Sequence, residues 1–194
     1  MRKALLLFLV VTPIGCGELT RQGIGSSYLI VEALEGASGA RSGEFEGDLE
    51  SDVVTVVNGR GTVFQDLGRV TLSLALKDPG PAGSPNAPSP NNTITVNRYR
   101  VRYIRSDGRN TPGVDVPHGF DGAVTVTVSE RTSATFALVR AQAKAEAPLA
   151  ALANNPVIIS TIAEITFYGH DQTGREVSTT ARINVHFGNW ADPE

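Results

Sequence analysis

The chain has 194 residues and a formal net charge of −3, with 41% apolar and 19% charged side chains, 20 Gly, 11 Pro and a single Cys, Met and Trp. This composition excludes a collagen-like repeat, a polytopic membrane protein, a coiled coil and a disulfide-stapled miniprotein. Basic and acidic side chains are interspersed throughout, which argues against nucleic-acid binding through a broad basic surface.

Arg2 and Lys3 precede an unbroken apolar run over 4–11, and Thr12-Pro13-Ile14-Gly15 lead into Cys16. The run is too short to cross a bilayer as a helix and reads as the core of a signal peptide over 1–15. Its Gly15-Cys16 ending resembles the bacterial lipobox. That resemblance implies cleavage before Cys16, lipid on its sulfur, and a membrane partner reached through the anchor. Gly17, in place of an Asp retention signal, points to the outer membrane of a bacterial cell envelope. A lone thiol in an oxidising compartment fits this reading, because acylation removes it. The alternative is a secreted protein cut near Gly15, with Cys16 left as a thiol. Residues 16–25 then form a lipidated N-terminus and tether reaching about 30 Å when extended. Residues 26–194 are long enough for one domain that buries about 70% of its unfolded surface.

Period-two patterning dominates the remainder. Strands are expected at 27–35, a short one at 53–57, then 70–76, 93–105, 124–128, 134–144, 158–168 and 177–187. Val70, Leu72, Leu74 and Leu76, for example, alternate with Thr71, Ser73 and Ala75. Turn signals separate the strands at Asn58-Gly59, Asp107-Gly108, Asp121-Gly122 and 171–174, so a long hairpin should join the last two. Only 147–154 invites a helical turn, with Pro148 at its start and Pro156 beyond its end. Residues 78–92 hold five prolines among Gly, Ser, Ala and Asn, the composition of a polyproline-rich loop without core side chains.

Seven to eight alternating strands ending in the hairpin Ile165 to Val185 resemble an immunoglobulin or fibronectin type III sandwich. The resemblance implies an all-β fold, a single Ig-like antiparallel β-sandwich with one short helical turn. Tyr99 and Tyr103 take the aromatic place that a Trp holds in antibody domains. A transthyretin-like or jelly-roll sandwich is the structural rival.

Chemistry is sparse. No G-x-S-x-G elbow occurs, and His118, His170 and His186 lie in a loop, beside the last turn and on a wet strand face, so solvated imidazoles are expected. His170 and His186 stand about ten residues apart along the hairpin, too far to share a metal ion. Glu44, Glu46, Asp48, Glu50 and Asp52 recur at every second position. They suit either a hard cation or a charged edge that blocks sheet-to-sheet aggregation, and the latter is preferred.

Arg98, Arg100 and Arg102 recur with the same period on one strand, opposite in facing to Tyr99, Val101 and Tyr103. Such a stripe could dock a carboxylate- or phosphate-bearing partner, namely an envelope protein, polysaccharide or lipid headgroup, or could be spent on cross-strand pairs such as Glu164. The long polar loop 106–122 carries Asp107, Asp115 and Asp121, a candidate ligand or cation site, or else a packed connection pinned by Val114, Val116 and Phe120. The expectation is a non-catalytic binding or scaffolding module without a cofactor. A carbohydrate- or cation-binding surface domain is the alternative, and an unrecognised hydrolase stands behind both.

Overall fold

Alternating apolar and polar side chains produce strands with one dry face, and two sheets of such strands close over a shared core. The computed structural model describes residues 25–190. Cys16 and the expected signal peptide lie outside the described residues. The strands are β1 (Ser27–Ala37), β2 (Asp48–Asp52), β3 (Thr55–Val57), β4 (Arg60–Thr62), β5 (Asp66–Leu76), β6 (Ile94–Ile104), β7 (Phe120–Val128), β8 (Arg131–Val139), β9 (Ile159–Asp171) and β10 (Glu176–Gly188). One sheet has the order β1-β5-β8 and the other β2-β10-β9-β6-β7, while β3 and β4 form a separate hairpin. The protein is an all-β sandwich, and a central β10-β9-β6 trio extended by β7 and facing β1-β5-β8 is the immunoglobulin-like order.

The strand expectations hold for most of the chain and differ at four places. β2, within the acidic run, pairs parallel with β10, so the larger sheet is mixed and not purely antiparallel. The short strand at 53–57 is one arm of the β3-β4 hairpin, whose turn places Asn58 at φ 52° and Gly59 at φ 72°, the left-handed pair a two-residue loop demands. Asp121-Gly122 is not a turn but lies inside β7. A Cβ on Gly122 would come within 2.2 Å of the Tyr99 ring, so this glycine admits an aromatic ring against the strand. β8 stops at Val139, and the good helix formers of Ala141–Lys144 make the single turn α1 instead of more strand. The helical turn expected over 147–154 is a 3₁₀ segment, Leu149–Asn154, that buries Leu149 and Leu152.

The core lies between the sheets, with Leu72, Val101, Leu138, Ile165, Phe167 and Phe187 almost fully buried. Tyr99 packs 4.9 Å from Phe136, which meets Phe167 edge-on at 5.4 Å. The two tyrosines of β6 also tie the sheets together through hydrogen bonds. Tyr103 Oη donates to the Leu138 carbonyl at 2.7 Å, and Tyr99 Oη accepts from the Ala137 N–H at 3.2 Å.

One irregularity positions the candidate site. Ile94 and Val96 point inward, as do Tyr99, Val101 and Tyr103, so the buried phase of β6 changes from even to odd positions. The change occurs at Asn97, where the register with both β7 and β9 slips by one residue. This bulge turns Arg98, Arg100 and Arg102 toward water, since an unbroken alternation from Ile94 would have driven all three into the core.

Candidate functional site

The outer face of the larger sheet is a grid whose rows follow from strand register. Arg182, Glu164 and Arg102 form one row across β10, β9 and β6, and Thr180, Thr166, Arg100 and Asp121 form the next. A third row holds Ser178, Tyr168 and Arg98. Thr166 and Thr180 hydroxyls bond at 3.0 Å, which fixes the floor between the charged rows.

The arginines differ in how they are used. Arg98 lies 3.4 Å from Asp121 and 4.2 Å above the Tyr168 ring, so its charge is balanced on the sheet itself. Glu164 is engaged mainly by Arg182, which donates to it at 2.7 and 3.0 Å, and it stands 4.0 Å from Arg102. Arg102 remains 63% exposed. Arg100 has no acidic partner among the described residues, although Asp121 lies opposite it in register. Around β6, four guanidinium groups therefore meet two carboxylates, while Asp48 and Glu50 keep their charge at the far β2 edge. The face is polarised on a chain that is net acidic.

The loop 105–119 borders this stripe. β7 begins opposite Val101, so Arg102 to Ile104 have no strand neighbour on that side, and the loop runs there instead. Its backbone comes close: a Cβ on Gly119 would lie 2.8 Å from the Val101 carbonyl. The loop is held by its own bonds. Asp107 pairs with Arg105 and Arg109, each at 2.7 Å, and those bonds, Arg105 foremost, hold its carboxyl well below the usual carboxylate range. Asn110 Oδ1 accepts the Arg105 N–H at 2.6 Å, and the Gly113 N–H donates to the Val116 carbonyl at 2.8 Å. Val116 and Phe120 are buried as pins of the loop, whereas Val114 stands 68% exposed at its tip.

Asp107, Asp115 and Asp121 are thus placed apart in role: one clamps two arginines, one accepts the Thr111 N–H at 3.1 Å, and one faces Arg98 from β7. Among the described residues no group of three or more His, Cys, Asp or Glu is placed to hold a metal ion. His170 sits opposite Glu176 at the turn end of the hairpin, and His186 sits opposite Ser160 at the other end, bonded to its hydroxyl at 3.0 Å. His118 lies beside the stripe. Gly113, at φ +76°, makes room for it, because a Cβ there would stand 2.5 Å from His118 Nε2.

The structure also brings together a pair that sequence reasoning missed. Lys144 Nζ meets Asp66 Oδ1 at 2.7 Å with neither side chain more than 1% exposed, and it donates as well to the Asp52 carbonyl. Asp52 itself, the last of the acidic run, turns inward to accept from Thr55 Oγ1 and the Trp190 N–H. No local signal marks a lysine for burial at the end of a strand-like segment. The nearest hint was the run of small helix formers before it.

Compared with known protein families and with curated proteins, the chain matches no family model and no curated sequence.

Proposed function

We propose that this protein is an envelope lipoprotein, anchored through Cys16 in the outer membrane, whose sandwich is a non-catalytic module that docks an anionic envelope partner on the β6 face. The observation that carries the docking reading is Arg100, presented to water between Arg98 and Arg102 with no carboxylate of its own among the described residues, on a chain of net negative charge. Exposed like charges held in line by a strand repel one another unless an anion faces them. The lipid anchor rests on the Gly15-Cys16 ending and the apolar run before it.

A soluble form beginning at Gly17 separates docking from anchoring. Changing Arg98, Arg100 and Arg102 together to Gln should leave the fold intact, because these side chains already face solvent. Retention of the soluble domain on native envelope material should fall, and its salt dependence should flatten, since exposed charges are the ones salt screens. Equal retention of wild type and triple variant at low salt would end the docking reading. Intact-mass measurement of the membrane-extracted protein tests the anchor, and a chain retaining Met1 or lacking acyl mass would exclude it.

A further inference from the structure

Arg100 and Arg102 are shared by two depressions. One lies toward Glu164, Thr166 and Tyr168 on β9, and the other, of about 380 Å³, lies between β6 and the 105–119 loop. The second has chemically different walls. Arg100 and Arg102 supply guanidinium groups from the strand, while Pro112, Pro117 and Ile104 supply apolar surface and His118 a polar edge. The loop wall is preformed by the Asp107, Asn110 and Gly113 bonds described above, so a ligand need not order it on binding.

We infer that this groove binds a carboxylate-bearing sugar unit of an acidic envelope glycan. The inference rests on the docking reading of the arginine face and gives it a ligand class. A guanidinium presents two parallel N–H donors that match a carboxylate, and among the described residues neither Arg100 nor Arg102 has its donors filled by a close acid. A bare inorganic anion would leave the proline and isoleucine wall in contact with water, whereas the C–H face of a sugar ring covers it. The volume stands at the lower end of the roughly 300–1,000 Å³ range of ligand pockets, which suits one or two rings and excludes a long acyl chain. His118, held over Gly113 at the rim, is placed for a ring hydroxyl.

The test is a titration of the soluble domain with oligogalacturonate, followed by calorimetry, alongside a neutral oligosaccharide, inorganic phosphate and phosphatidylglycerol vesicles. Saturable binding of oligogalacturonate alone is expected, weakened about tenfold or more by Arg102→Gln and several-fold by His118→Ala. Arg131→Gln, on the opposite sheet and paired with Glu32, should change nothing. Equal binding of phosphate or of the neutral sugar would overturn the inference. Binding of vesicles and not of oligogalacturonate, lost in Arg102→Gln but indifferent to His118→Ala, would also overturn it while leaving the docking reading intact with a lipid as its anion. If no probe binds and the triple-Gln domain is retained on envelope material as well as wild type, both readings fall.

Discussion

Lys144 Nζ and Asp66 Oδ1 lie 2.7 Å apart in the core, joining the turn after β8 to the first residue of β5. Asp66 also accepts from Ser51 Oγ at 2.6 Å and the Gly39 N–H at 2.9 Å, so the pair gathers β2, β5 and α1 at one end of the sandwich. Burial pushes the Asp66 carboxyl up, against the pull of Lys144 and these bonds. An ion pair taken out of water gains little net stability, but half of one is costly.

Lys144→Met should therefore lower stability by about 3–5 kcal/mol, because it strands a buried carboxyl. The double variant Lys144→Met with Asp66→Asn, whose uncharged amide still accepts the Gly39 N–H and can bond Ser51, should recover most of that loss. Urea unfolding of both variants checks this, and a double variant no better than the single one would show that the pair holds the fold by more than mutual neutralisation.

Asn97 should be dispensable for the two-faced pattern of β6. Removing it joins Val96 to Arg98 in unbroken alternation, which keeps Ile94, Val96, Tyr99, Val101 and Tyr103 inward and Arg98, Arg100 and Arg102 outward and closes the slip against β9. The deletion variant should still unfold cooperatively, with a lowered thermal midpoint because its register against β7 is disturbed. Loss of the cooperative transition would show that the β7 register, and not side-chain facing, is what Asn97 holds.

Acid should weaken the β9-β10 turn. Burial alone would raise the Asp171 pKa, but bonds from the Thr173 hydroxyl and the Thr173 and Arg175 N–H groups, with the Arg175 guanidinium at 3.1 Å, outweigh it and hold the carboxyl below its ordinary value. A folded-state value below the unfolded one of about 3.9 stabilises the protein above that pH. The contribution disappears as pH falls through the native value. Asp171→Asn should cost about 1.5–3 kcal/mol at neutral pH, and the gap from wild type should narrow in acid. A gap of the same size at both pH values would exclude this role.

Most of the proline-rich loop should be replaceable. Residues 81–90 are exposed, but Asn92 is not spare: its side chain caps Ser89 and donates to Ser26 Oγ, and its carbonyl accepts from Ser27 Oγ. A short Gly/Ser linker in place of 79–88 should shift the thermal midpoint by less than about 3 °C. Asn92→Ala should cost more than the whole exchange, and the reverse ranking would show that the loop packs on the domain.

Most of the long strands, their wet and dry faces, the Asn58-Gly59 turn, the terminal hairpin and the outward stripe of Arg98, Arg100 and Arg102 were readable in the sequence, whereas the short strands β2 and β4 were not. Side-chain facing in a strand depends only on neighbours one and two residues away. The tertiary structure alone decided the rest, because those features depend on residues far apart in the chain. β2 found a parallel partner in β10, more than a hundred residues on, and Gly122 proved to be a seat for the Tyr99 ring, although its Asp-Gly sequence favours a turn. The bulge at Asn97 had a local trace, the change of apolar phase between Val96 and Tyr99, but its register slip exists only against β7 and β9. Lys144 is buried because Asp66, 78 positions earlier, waits for it with bonds from two further segments. The arginine stripe and the 105–119 loop, separate features in the sequence, share a groove because β7 starts at Phe120, opposite Val101, and leaves the end of β6 for the loop to cover.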